Sequence, residues 1–267
     1  MAVNRNGLVL GVLLVALAGC SGTVPPRPPA AVQRAATLEA QAHQAMQDGN
    51  LALARTLFEQ SLRAQQALDN LPGVATASIN LAAVYHGLKN DDMALRLLDA
   101  VAGDTRVPYP AELRRAAAFR KAVILVDGGA PGASAAVESA AALCAKSCPL
   151  RAGLDNLRAR IALGKRQYAD ALAFAKTAEG EAGDDKQELA NAWRNAAAAE
   201  SGAGNHAAAL DRYQAALELD KRLGVPRRIA SDLDGVSREL KQLGRAEESA
   251  SYARRAAAAH EAIGDSR

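Results

Sequence analysis

Aromatic residues are scarce in this 267-residue sequence, with one Trp, five Tyr and three Phe making up 3% of the chain. A core of stacked rings, or a sugar-binding platform of exposed ones, is hard to assemble from so few. Runs of β-branched residues are also scarce, which leaves strands without their usual side chains. There are three cysteines and four histidines. His43, His86, His206 and His260 stand apart from one another and from the pair Cys144 and Cys148, so no metal site is expected. Charge of one sign is missing too: 32 basic and 29 acidic residues leave a net +3. The pairs Arg114-Arg115, Arg227-Arg228 and Arg254-Arg255 lie far apart among acids and read as solvated helix faces, which argues against a nucleic-acid partner. No nucleophile elbow, HExxH helix or catalytic triad signature occurs, and Gly128-Gly129 lacks the Lys that a phosphate loop needs. The chain is therefore expected to be no enzyme and to carry no cofactor. What is abundant is Ala, the residue that enters a helix at least cost, so an all-α chain is the default.

The longest apolar run, Leu8–Ala18, has 11 residues, against the ~20 that a helix needs to cross a bilayer. With Arg5 before it and the small Gly19 after it, the segment 1–19 has the layout of a signal peptide. Leu17-Ala18-Gly19-Cys20 resembles the lipobox of bacterial lipoproteins. That resemblance implies that Cys20 carries a covalent diacylglycerol and a further acyl chain such as palmitate, which is firmer anchoring than one chain provides. A signal peptide with a chance cysteine is the alternative. Ser21 stands where lipoproteins retained at the inner membrane often have Asp, which points to the outer membrane, with the chain facing the periplasm. Residues 20–34 form a tether. Its TVPPRPP stretch, residues 23–29, is expected to be an extended polyproline spacer of ~20–30 Å.

From residue 35 to 263 one element recurs every 35 to 42 residues: a small residue, an aromatic or apolar one four positions on, and another small or apolar one three beyond. The instances are Ala54/Phe58/Ser61, Ala94/Leu98/Val101, Ala136/Ala140/Leu143, Ala171/Ala175/Ala178, Ala209/Tyr213/Ala216 and Ser249/Ala253/Ala256. Small residues let the two helices of a hairpin approach closely, and the large one fills the space between hairpins. Residues 264–267 are left as a tail. The fifth copy is the fullest, with Trp193 placed 16 residues before Ala209, then Gly204-Asn205 and Tyr213.

This pattern resembles the tetratricopeptide repeat, with lengthened units similar to those of kinesin light chains. The resemblance implies a right-handed α-solenoid of about six helix-turn-helix units whose first helices line a concave groove. A break at Arg106–Pro110 makes a kink plausible, and two three-repeat blocks meeting near residue 105 are the alternative to one continuous array. In peptide-binding members of the family, groove asparagines hold ligand backbone and Lys or Arg meet acidic groups. The corresponding polars here are Asn80, Lys121, Asn156, Arg194, Asn195 and Arg238.

The other notable groups have local readings. Cys144 and Cys148 sit at the end of an expected helix that Pro149 stops, and either form a local disulfide or remain as two free thiols. Asp91-Asp92, Asp184-Asp185 and Glu247-Glu248 stand at expected helix starts, where they complement the helix dipole. The function this implies is a membrane-anchored scaffold that collects other envelope proteins or peptides. An enzyme or glycan-binding protein with a site in the divergent repeats of 105–182 is the alternative.

Overall fold

A computed structural model describes residues 28–144 and 148–264. Cys20, its lipobox and most of the tether lie outside the described residues. Among those described, all regular structure is helical, in six consecutive hairpins: α1 (Ala30–Gln47) with α2 (Leu51–Ala67), α3 (Leu71–Gly87) with α4 (Asp91–Ala102), α5 (Ala111–Asp127) with α6 (Ala133–Ala142), α7 (Arg151–Gly164) with α8 (Tyr168–Glu181), α9 (Lys186–Gly202) with α10 (His206–Leu223), and α11 (Pro226–Gln242) with α12 (Ala246–Ala262). α1 starts five residues before position 35, because Pro29 sits at its N-cap, where its missing N–H removes no helical bond.

Each hairpin turns through one left-handed residue: Gly49, Lys89, Gly129, Arg166, Gly204 and Gly244. In every case the next residue's N–H reaches back to the carbonyl five positions earlier, as Asn50 does to Ala45 at 2.8 Å and Asn205 to Glu200 at 2.9 Å. This Schellman closure satisfies carbonyls that the helix end would leave bare. The acid pairs at the helix starts behave as their positions imply. Asp91-Asp92 and Glu247-Glu248 lie in the first turns of α4 and α12, and Asp185 caps α9 by accepting from the N–H groups of Gln187 and Glu188.

The expected small–large–small sets are buried in copies one, two, four and five. Two copies differ. In the third, the buried set is Ala133/Val137/Ala140, three residues earlier than Ala136/Ala140/Leu143, and Leu143 is exposed. The stretch ASAAVESAAA is small almost throughout, so composition does not separate its faces and the tight turn at Gly129 decides the register. In the sixth, Ser249 and Ala256 are buried but Ala253 is exposed, since no described hairpin follows α12 to cover it.

First helices touch in sequence, α3 on α5, α5 on α7, α7 on α9 and α9 on α11, while each second helix packs against the first helices on either side of it. That arrangement places the first helices along the inner wall of a solenoid. Burial is carried by alanines with a few large side chains wedged among them, chiefly Phe58, Leu98, Ile124, Leu217 and Leu240. On α11, Gly235 lies so close to the Tyr213 ring that a Cβ there would fall 2.6 Å from Cδ1.

Arg114 is not a solvated helix face. Its guanidinium donates to the carbonyls of Val101, Ala102, Asp104, Val107 and Tyr109, tying down the 103–110 connection between α4 and α5. The chain therefore continues through the Pro-rich break near residue 105 as a packed array, with α4 against α5 and α3 against α5.

Cys144 and Cys148 are joined by a disulfide, with Cα atoms 5.2 Å apart. They do not share a helix face, because α6 ends at Ala142 and places both in the α6–α7 connection. Leu143 is the C-cap of α6, so the helix stops well before Pro149.

Candidate functional site

The inner wall carries a polar concavity of about 470 Å³, formed only by first helices: Phe119, Arg120, Val123 and Asp127 from α5, Gly153, Asn156, Leu157 and Arg160 from α7, Gln187, Glu188, Asn191, Arg194 and Asn195 from α9, and Arg228 from α11. Three of the six polars chosen from sequence, Asn156, Arg194 and Asn195, meet here.

Their donors are already in use. Asn156 is 3% exposed and Asn195 is 8% exposed. Asn195 donates through Nδ2 to the side-chain and main-chain oxygens of Asn156 at 3.0 and 3.2 Å. Asn156 donates in turn to the Glu188 carboxylate at 2.8 Å and its carbonyl at 2.9 Å. Asn191 donates to the same carboxylate at 3.1 Å and accepts from Arg194 at 3.0 Å. These amides form the floor of the site and fix its helices relative to one another; they are not free donors held out for a ligand backbone.

Arg194 is locked more firmly still. Its Nε and Nη2 donate to the two oxygens of Asp232 at 2.6 and 3.1 Å, and Nη2 also donates to Asp220. Both aspartates are fully buried, so one guanidinium from α9 ties together α10 and α11. Burial pushes the Asp232 carboxyl up to about 6, with Arg194 pulling the other way and the neighbouring Asp220 adding to the rise. A lone buried acid would be far costlier than this cluster, which is why Arg194 belongs to the architecture.

The remaining three candidates lie elsewhere. Lys121 stands one residue, a turn of about 100°, from Arg120. It faces a separate cavity among α4, α5 and α6, where Nζ pairs with Asp99 at 2.6 Å. Asn80 bridges back to α1 through a 3.3 Å contact between Nδ2 and His43 Nε2, and His43 packs edge-on against Phe58. Arg238 is more than half exposed, 4.0 Å from Glu239, and does not line the concavity.

Charge in the concavity is unevenly paired. Arg160 meets Asp127 at 2.6 Å, and Asp127 is also 3.4 Å from His86 Nε2. Among the described residues, the side chains of Arg120 and Arg228 make no hydrogen bond or ion pair, and Arg228 Nη1 is shielded from solvent with no acceptor. Asp232 is four residues along α11 from Arg228, the spacing of a helical ion pair. Arg194 has taken its oxygens. Sequence reasoning passed over both arginines, Arg228 because it was grouped with Arg227 as a solvated pair and Arg120 because the register fell on Lys121.

His206, expected to serve in packing, opens α10 and sets Nδ1 2.8 Å from the fully buried Glu239, whose other oxygen accepts from Ser201 at 2.7 Å. Serine and histidine both point at the acid and not at each other, so the trio joins two hairpins and is not a nucleophile relay.

A tetratricopeptide repeat family model matches residues 33–101. No curated protein sequence matches. Among solved structures, the chain is similar to a Rap protein complexed with Competence and Sporulation Factor (TM-score 0.60, 14% identity, covering 86% of this chain and 66% of that one). It is also similar to aspartyl phosphate phosphatase F from Bacillus subtilis (0.59, 11%, 90% and 66%) and to BtubC from P. vanneervenii (0.56, 14%, 90% and 94%). The chain thus spans slightly less than two thirds of the Rap-type structures and nearly all of BtubC. At these identities the likeness is one of fold.

Proposed function

The chain is a tetratricopeptide-repeat protein in fold, and we propose that it is a non-catalytic scaffold that holds segments of other proteins against the inner wall of α5, α7, α9 and α11. The observation that carries this reading is the concavity itself: it is built only from first helices, its floor is rigidified by a continuous hydrogen-bond chain, and it retains unpaired polar groups. A solenoid of stacked hairpins presents such a surface to partners as a direct result of its curvature. The Rap structure complexed with Competence and Sporulation Factor is a protein of similar fold that holds a partner.

We place the scaffold at a membrane, lipidated on Cys20 and facing the periplasm from the outer membrane, with envelope proteins as its partners. The support is the LAGC sequence at residues 17–20 and the TVPPRPP spacer behind it. The alternative, an enzyme with its site in 105–182, finds little to build on. The acids Asp127, Glu138 and Asp155 there are each paired with an arginine at 2.6 to 2.8 Å.

Two measurements test these proposals separately. Radiolabelled palmitate should enter the wild-type chain and not Cys20→Ser, and that variant should leave the membrane fraction while its domain still folds. Labelling of Cys20→Ser, or its full retention after a salt wash, would overturn the anchor. Pull-down of the soluble domain from an envelope extract should retrieve partners that Arg228→Glu loses. Retrieval of the same proteins in the same amounts by that variant would overturn the groove.

A further inference from the structure

The concavity carries a pattern of charge that its role in architecture does not explain. Of the four arginines lining it, Arg160 and Arg194 stand on the middle helices α7 and α9 and are neutralised within the fold. Arg120 and Arg228 stand on the outermost lining helices, α5 and α11, and are not. Between them lie Glu188 and Asp127, carboxylates whose partners come from inside the protein. An unpaired guanidinium nitrogen shielded from water forfeits roughly 1–3 kcal/mol of solvation, more when charged. Folding offers Arg228 an acceptor at Asp232, and Arg194 takes it.

Resting on the scaffold reading of this groove, we propose that the concavity takes an extended peptide segment bearing a carboxylate toward each end and neutral residues between, with one carboxylate on Arg228 and the other on Arg120. A carboxylate suits each end because each holds a single cation, and guanidinium binds carboxylate through two parallel hydrogen bonds. The middle must be uncharged or a donor of N–H groups, because it passes Glu188 and Asp127; a polypeptide backbone meets that need. A run of contiguous acids meets repulsion there. Adjacent helices pack 8–10 Å apart, so a segment crossing from α5 to α11 covers roughly 25–30 Å, or about eight extended residues at ~3.4 Å each. A flat bilayer cannot enter such a concavity, so anionic lipid is not its ligand.

The test uses the soluble repeat domain and three fluorescein-labelled octapeptides: Glu-Gly-Ser-Gly-Ser-Gly-Ser-Glu, the same peptide with Gln at both ends, and octaglutamate. Anisotropy should show binding of the Glu-ended peptide, weaker by about tenfold or more for the Gln-ended one and in Arg228→Ala or Arg120→Ala, since each change removes a charge-assisted contact. Octaglutamate should bind less tightly than the Glu-ended peptide despite its greater charge. Both arginines lie outside the internal ion pairs, so circular dichroism and melting temperature should be unchanged in the variants. The proposal is overturned if the Glu-ended peptide fails to bind at millimolar concentration, if octaglutamate binds more tightly, or if either arginine can be removed without effect. It is equally overturned if phosphatidylglycerol vesicles bind the domain through Arg228. Envelope partners captured by the wild-type domain in spite of such a result would leave the scaffold reading standing and this inference alone refuted.

Discussion

Replacing Arg194 with Met, which keeps the length of the side chain and removes its charge, leaves Asp220 and Asp232 fully buried with no cation between them. Breaking one member out of a buried ion cluster costs about 3–5 kcal/mol, because the charges left behind are neither solvated nor paired. For a cooperative unit of 150–250 residues, each kcal/mol lowers Tm by roughly 2–4 °C, so the expected fall is about 6–20 °C. The sole tryptophan, Trp193, is the adjacent residue, with its Nε1 donating to Glu179 at 2.8 Å. Its fluorescence therefore reports the melting of the α8–α9 seam directly. The companion variant Arg194→Met with Asp220→Leu and Asp232→Leu removes all three charges and should recover most of the loss, since apolar replacement of a buried ion cluster is often neutral or better. A fall of less than about 2 °C for Arg194→Met, or a triple variant no more stable than the single one, refutes the reasoning.

The same cluster makes stability depend on pH. Asp232 holds its proton up to about 6 in the folded protein, above the ~3.9 of an unfolded chain. The folded state thus binds more protons between these values, and its stability contribution is full below ~4 and lost as pH rises through 6. Urea midpoints at pH 4.5 and 7 should show that loss in the wild type and a smaller one in Asp232→Asn. Arg114→Ala should loosen the 103–110 connection by about 2–3 kcal/mol, seen as amide exchange at residues 101–110 faster by roughly 30-fold or more; unchanged exchange there would refute the clamp. Gly235→Ala drives a methyl group into the Tyr213 ring, and should cost about 1–3 kcal/mol in denaturant titration, with the cost shrinking in a Tyr213→Leu background.

The hairpins were legible because their small–large–small spacing is local: each set lies within one helix and repeats near every 40 residues. The third register was not, since Ala133 to Ala142 offers small side chains in most positions and no sharp apolar stripe. The concave face was partly legible. Asn156, Arg194 and Asn195 were placed on it from alignment of copies, whereas Lys121 missed it by one residue. What sequence could not show was which polars were already engaged. Arg194 meets Asp220 and Asp232 across 26 and 38 positions, and no short-range periodicity carries such a pairing. The two unpaired arginines could be recognised only once those partners were placed. Arg114 was misjudged for a similar reason, since the carbonyls it gathers belong to a loop with no pattern of its own.

Packing between each hairpin and the next has a mechanical consequence. Load along the axis passes through the seams one after another, and the seams are unequal. Those joining α9, α10 and α11 are bolted by Arg194 and by Glu239 with Ser201 and His206. The α6–α7 seam rests on the shortest helix, of 10 residues. A partner gripping the concavity toward α11 while the chain is held at its N-terminal end would stretch the middle of the array first. The C-terminal block, where the grip is made, would give way last.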